Sequence, residues 1–256
     1  MAAAPTIERF NRTERGLHWT HSASFFALLI TGLFLYFPAL GDLAAKVYLA
    51  HLTILNLHVL SGAFYIGGPL LFWLLGDRRS LRRDLHALDV WDDDDVRFLA
   101  EPGAILSEGH DRPPAGRFNA GQKINTILLA AAAIGFGVTG LILWQSSHLP
   151  AWAGFAVQGS VNLHDILAVV TTALVAGHIY LAALHPTTRP GLAGIFGGRV
   201  SRAWARLHHP KWVAEEEAIG RRATGDGRQT AVGDHPVGDV DSADRVDPVE
   251  KLRADR

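Results

Sequence analysis

Residues 161–184 read VNLHDILAVVTTALVAGHIYLAAL, and Asp165 is the only charge among them. About 20 apolar residues in a helix cross the hydrocarbon core of a bilayer, so this stretch predicts a membrane span. It carries two histidines, His164 and His178, 14 residues apart. At about 100° and 1.5 Å per residue they differ by roughly 40° around the axis and about 21 Å along it. They therefore share one face of the helix at two depths.

Working outward, three more stretches have the same character. Asp, Glu, Lys and Arg are absent from residues 16–41, 47–75, 124–164 and 166–188. Charged residues make up 19% of the 256 residues, against about 25% in soluble domains, and these gaps account for the deficit. The predicted spans are 17–38, 51–75, 124–144 and 161–184. The first has a basic start but runs 22 residues, longer than the 7–15 of a signal-peptide core, and reads as a retained helix. The predicted fold is all-α: an integral membrane bundle of four helices over residues 17–188, after an N-terminal segment of residues 1–16.

Between the spans, residues 39–50 read as a short connection and 145–160 as a loop with Ser, Pro and Gly. Residues 77–121 read as a long polar loop with one short helix. Residues 189–216 are basic and aromatic, as in an interfacial helix. Residues 217–256 are rich in Gly, Asp and Arg and predict a disordered tail. No internal repeat is visible. Sixteen Lys and Arg fall in the N-terminal segment, the 77–123 connection and residues 185–212, against Lys46 alone on the other side. The positive-inside rule then puts both termini in the cytoplasm, with residues 39–50 and 145–160 on the other side.

A net charge of -1 excludes nucleic-acid binding by bulk electrostatics. The absence of Cys excludes disulfides, Cys-zinc sites, Cys-ligated iron–sulfur clusters and thioether-linked haem. Thirteen histidines remain as the obvious ligand type. A single intramembrane histidine is often a hydrogen-bonded packing residue. Several together point to a function, because each ionisable group in hydrocarbon needs an offsetting partner. By depth, His58 pairs with His164 on the outer side, and His18 with His178 on the inner side. Two stacked bis-histidine sites suit two b-type haems, each iron taking a neutral imidazole on either face. Counting alone leaves His21 open beside His18, and His51 beside His58. His185, His208 and His209 read as interfacial or solvated, and Asp92–Asp95 as a solvated acidic run.

Several motifs are similar to one family. They are Arg15-Gly16-Leu17-His18-Trp19, Asn56-Leu57-His58-Val59-Leu60-Ser61-Gly62, Gly116-Arg117-Phe118-Asn119-Ala120-Gly121-Gln122-Lys123 and His178-Ile179-Tyr180. The tail adds Gly198-Arg199-Val200-Ser201-Arg202-Ala203-Trp204-Ala205 and His208-His209-Pro210-Lys211-Trp212. Over residues 8–216 the chain resembles the cytochrome b (gamma) subunit of respiratory membrane-bound formate dehydrogenases. The resemblance implies His58 and His164 as axial ligands of an outer haem b, and His18 and His178 of an inner one. It implies a quinone site at Asn119, Gly121 and Gln122, with menaquinone the expected quinone. It also implies an iron–sulfur partner subunit and a catalytic partner with a molybdenum or tungsten pterin, so no formate-oxidising residue is expected in this chain. The location that the resemblance implies is the bacterial cytoplasmic (inner) membrane. From the residues alone, Asn119 reads equally as a helix cap and Lys123 as a snorkelling side chain. Two rival readings are the cytochrome b subunit of a hydrogenase or other molybdenum-enzyme complex, and a haem-free membrane scaffold or transporter.

Overall fold

Asn11 starts the first long helix: its side chain accepts from Glu14 N at 3.0 Å while Glu14 Oε2 accepts from Asn11 N at 2.7 Å. That reciprocal capping box satisfies two helix-terminal donors and fixes where the helix begins. The computed structural model describes residues 4–46, 51–101, 103 and 112–223. In chain order these form strand β1 (Thr6–Glu8) and helices α1 (Arg12–Tyr36), α2 (Pro38–Lys46), α3 (His51–Leu75), α4 (Arg78–Asp89) and α5 (Asp93–Ala100). Then come α6 (Ala120–Trp144), α7 (Gly154–Ile179), α8 (Leu192–Gly197), β2 (Arg199–Ser201), α9 (Arg202–His208) and α10 (Pro210–Ala223).

Helices α1, α3, α6 and α7 are each long and apolar enough to cross a membrane. At 25 residues, each of the first three is about 37 Å long, more than the ~30 Å hydrocarbon core. The chain is a multi-pass, all-α membrane protein. Helix α1 packs along α3 and α6 along α7, with α3 also touching α6. The packing is inverted relative to a soluble bundle. Leu70, Leu75, Ile134 and Val169 are exposed, while Ser24, Ala132, Thr139, Ser160 and Thr171 are buried. Small and hydroxyl residues let helix backbones approach where lipid offers no hydrophobic drive. A Cβ on Gly135 would lie 2.7 Å from Leu167 Cδ1, so the glycine gives the Leu167 side chain its place between α6 and α7. The buried hydroxyls donate back along their own helices, Ser24 to Thr20 O at 2.8 Å and Thr171 to Leu167 O at 2.6 Å.

The segments flanking the four long helices meet. β1 pairs antiparallel with β2, Thr6 opposite Ser201, and Ile7, Val200, Ala205, Trp212 and Val213 form a small core around them. The N-terminal segment and the segment after α7 therefore lie on one side of the bundle, as four spans require.

Five expectations are corrected. Among the described residues of 77–121 there are two helices rather than one short one: Asp77 caps α4, and Asp92 caps α5 with Asp95 in a second capping box. The cause is chemical, since Asp is both a turn former and a strong N-cap. Residues 39–50 are not merely a connection, because α2 runs to Lys46. Residues 145–160 are mostly helical: two single 3₁₀ turns lead into α7, which starts at Gly154. The apolar pattern understated the helix because Gln158, Gly159 and Ser160 are tolerated in its first turns. Residues 189–216 are no single helix: β2 interrupts them after Gly198, whose φ of 82° ends α8 in the left-handed region. α10 continues to Ala223, inside the expected tail. Residues 224–256 lie outside the described residues.

Candidate haem centres and the entrance to the third long helix

The four predicted histidines meet in two pairs. The ring centroids of His58 and His164 are 6.3 Å apart at 53°, and those of His18 and His178 are 6.4 Å apart at 49°. α7 supplies one ring to each pair, α3 supplies His58 and α1 supplies His18. Two imidazoles bound trans on one metal ion have centroids about 6.3 Å apart. That follows from metal–nitrogen bonds of about 2.0–2.1 Å and about 1.1 Å from ring nitrogen to centroid. Both pairs have that spacing.

The hydroxyls around His58 and His164 set the tautomer. Thr31 donates its hydrogen to Ala27 O at 2.6 Å, so its oxygen is left to accept from His58 Nδ1, 2.9 Å away. Thr139 donates to Gly135 O at 2.8 Å and accepts from His164 Nδ1 at 2.8 Å. In each ring the Nδ1–H is committed and Nε2 keeps its lone pair for a metal; a hydrogen bond on the far nitrogen is how a ligating histidine is oriented. The glycine after each threonine lies against the ring, where even a Cβ would be at ordinary contact distance. A Cβ on Gly32 would be 3.4 Å from His58 Cε1, and one on Gly140 would be 3.7 Å from His164 Cε1.

The sequence holds a signal for this, and it corrects the expectation of no repeat. Ile30-Thr31-Gly32-Leu33-Phe34-Leu35-Tyr36 closes α1, and Val138-Thr139-Gly140-Leu141-Ile142-Leu143-Trp144 closes α6. Asn56-Leu57-His58 and Asn162-Leu163-His164 stand in the helices that follow. Thr31 and Thr139 were not among the expected site residues, and this short repeat would have found them.

The His18/His178 pair is built differently. Among the described residues, Nδ1 of His18 is buried with no hydrogen-bond partner. A Cβ on Gly177, beside His178, would meet nothing within 4 Å. His21 does not compete with His18: it stacks on Tyr65 of α3 at 4.0 Å and 22°. His51 is exposed at the first turn of α3. The chemistry of these sites fits haem b: facing neutral imidazoles, small residues beside them, and apolar helices around them.

At the entrance to α6, Asn119 Oδ1 accepts from Gln122 N at 2.9 Å and Gln122 Oε1 accepts from Asn119 N at 3.0 Å. This is a third capping box, and it occupies both side-chain oxygens. Among the described residues the two amide nitrogens have no such commitment and are available as donors. Gly121 lies between them in the first turn. Lys123 does not snorkel. Its ammonium is buried, 2.5 Å from Asp95 Oδ2 and 2.7 Å from Val90 O. Asp92–Asp95 is therefore not simply a solvated run. Asp95 is buried against Lys123, and Lys211 lies 2.7 Å from Asp92 Oδ2 and 2.5 Å from Asp94 Oδ2. Lys211 holds the Asp92 and Asp94 carboxyls below their ordinary range.

Behind this entrance lies a buried polar cluster. The Arg117 guanidinium reaches Glu14 Oε1 at 3.0 Å and Asp84 Oδ1 at 2.5 Å. Arg9 lies over the rings of Trp212, Phe10 and Phe118 at 4.6, 5.2 and 5.7 Å. Burial, and after it the Arg117 charge, pushes the Arg9 guanidinium down to about 9, so it is still a cation at neutral pH. Two of the three histidines expected at the surface are not there: His209 and His185 are buried. His209 was misread because His-His before Pro resembles a polar tail; Trp212 and the N-terminal segment cover it. His208 stacks on Trp204 at 4.6 Å.

A sequence model described as prokaryotic cytochrome b561 matches residues 9–198. The chain is 26% identical over 219 residues to the nitrate-inducible formate dehydrogenase cytochrome b556(Fdn) subunit of Escherichia coli strain K12, covering 85% of this chain and 94% of that protein. It is likewise 26% identical over 216 residues to the formate dehydrogenase cytochrome b556(fdo) subunit of the same strain, covering 84% and 95%. For the formate dehydrogenase cytochrome b556 subunit of Haemophilus influenzae the identity is 26% over 213 residues, covering 82% and 83%. The matched 9–198 region contains all four paired histidines, and the chain belongs to the prokaryotic cytochrome b561 family, a membership that implies haem b.

Proposed function

We propose that this chain is the membrane anchor and dihaem cytochrome b subunit of a formate dehydrogenase complex. Electrons from a partner iron–sulfur subunit would pass through two haems b to a quinone, while a partner with a molybdenum or tungsten pterin oxidises formate. The observation that carries the reading is the presence of two facing imidazole pairs at metal-bridging distance, both anchored on α7. The names of the curated relatives favour formate dehydrogenase over a hydrogenase or another molybdenum complex.

Bound haem b supplies one-electron transfer. His58 and His164 would hold the outer group, and His18 and His178 the inner one. Thr31 and Thr139 keep the outer rings in the ligating tautomer. Asn119 and Gln122 would direct amide donors at a quinone carbonyl beside the inner pair, with Gly121 allowing close approach to backbone. Donors placed where a quinone oxygen gains charge favour its reduction. The excess of Lys and Arg on the side of the termini supports a cytoplasmic position for that entrance, where proton uptake would occur; the membrane would be the bacterial inner membrane.

A reduced-minus-oxidised visible spectrum with haem extraction tests the reading. About two non-covalent haems per chain are expected; one or none in folded protein would overturn it.

A further inference from the structure

Residues 115–117 lead into the α6 capping box, and their three consecutive carbonyls each receive a donor from a distant part of the chain. Ala115 O accepts from Lys211 N at 3.2 Å and Gly116 O from His209 Nδ1 at 2.9 Å. Arg117 O accepts from Arg9 Nη2. Connecting segments normally leave such carbonyls to water. Here the two donating side chains are almost fully enclosed, His209 at 2% exposure and Arg9 at 3%. The segment cannot slide without stranding a buried polar group, which makes its register a property of the tail as much as of α6.

The His209 ring is the junction. Its Nδ1–H goes to Gly116, so its other nitrogen carries the lone pair, and that nitrogen lies 3.4 Å from Arg9 Nη2. The charged groups bearing on the ring are Arg9 from the N-terminal segment, Arg112 from the chain before Ala115, and the neighbouring His208. Burial first, and then the Arg9 charge, holds the imidazole well below 6.5, so it is neutral at physiological pH. Arg117, next along, reaches Glu14, one turn before His18 on α1. The tail, the N-terminus, the start of α6 and the helix of the inner pair are thus linked through four residues.

We propose that His209, by donating to the Gly116 carbonyl, is a positioning residue that sets the Asn119–Gln122 amides against the His18/His178 pair and so determines where a quinone headgroup is held. This rests on the reading of Asn119–Gln122 as the quinone segment.

The test uses the assembled complex with a short-chain naphthoquinone as acceptor. His209→Leu should raise KM for the quinone about tenfold, the scale of one lost hydrogen bond, with a smaller change in kcat. Both haems should stay bound and be reduced by the partner at the unaltered rate. His209→Asn, whose amide N–H can take the place of Nδ1–H, should restore KM. His209→Gln, whose amide reaches the other ring nitrogen, should not. Wild-type KM in the Leu and Gln variants, with Asn119→Leu still slow, would overturn the positioning role and leave the quinone site in place. A wild-type rate in Asn119→Leu would remove the quinone assignment itself, whatever His209 does. An Asn variant as impaired as Leu, or loss of a haem in all three, would make His209 a structural residue only.

Discussion

The two histidine pairs have almost the same ring separation, 6.3 and 6.4 Å, in very different surroundings. His58 and His164 are held by a repeated local device. Each ring gives its Nδ1–H to a threonine, and each threonine is followed by the glycine that the ring packs on. His18 and His178 lack the device. Counting 13 residues back from Thr31 gives His18, but from Thr139 gives Thr126; counting 14 on from His164 gives His178, but from His58 gives Phe72. Phe72 instead fills the space beside Gly16. His18 of the inner pair follows one turn after Glu14, which with Asp84 forms ion pairs to Arg117. The same spacing can therefore be produced by short-range sequence or by tertiary assembly, and the second leaves an imidazole free to respond to its surroundings.

The largest expected effect is loss of one haem. His58→Ala or His164→Ala should remove about one of two haems and leave the spectrum of the other. His18→Ala should remove the other, whereas His21→Ala should keep both. If His21→Ala and His18→Ala behave alike, the contrast between stacked and facing rings has no functional meaning.

The hydroxyls come next. Thr31→Val and Thr139→Val delete the acceptors of the two outer Nδ1–H groups, and each should weaken outer haem retention about 10- to 100-fold. The two variants should match each other and leave the inner haem unchanged; unequal effects, measured by haem titration of each variant, would break the equivalence of α1 and α6.

The smallest effect should come from acid. His209 is neutral when folded and titrates near 6.5 when unfolded, so below about pH 6.5 the unfolded chain binds the extra proton. Stability should then rise with pH through this window and fall as pH drops, by up to about 1.4 kcal/mol per unit. Thermal melts of the isolated chain between about pH 5 and 7 should show this contribution beside that of His208, which burial also lowers, and His209→Asn should reduce the slope by up to that amount. An unchanged slope would remove His209 as its source. The outer pair has no part in this buried polar cluster, so its haem should be retained throughout.

Much of this was legible in the chain. The charge-free stretches gave away four spans, because hydrocarbon tolerates so few charges, and helical counting put His164 and His178 on one face while leaving His21 open beside His18 and His51 beside His58. The Thr31 and Thr139 device was legible as well but easily overlooked, since each half of the repeat is only seven residues long. The helices of residues 77–101 were harder to see. Their aspartates read as surface charge until Asp77 and Asp92 are found at helix starts and Asp95 beside Lys123.

Length and apolarity by themselves determined that this protein crosses a membrane four times, because a backbone in lipid must satisfy its hydrogen bonds within each helix. Helical periodicity determined that His164 and His178 share a face. Tertiary structure alone decided between His18 and His21, since three residues along a helix turn a ring by most of a revolution and only the position of α7 selects which one meets His178. It alone decided that Lys123, Arg9 and His209 are buried. A polar side chain reads as solvent-facing until a partner from elsewhere in the chain encloses it, and those partners lie 28, 108 and 93 residues away.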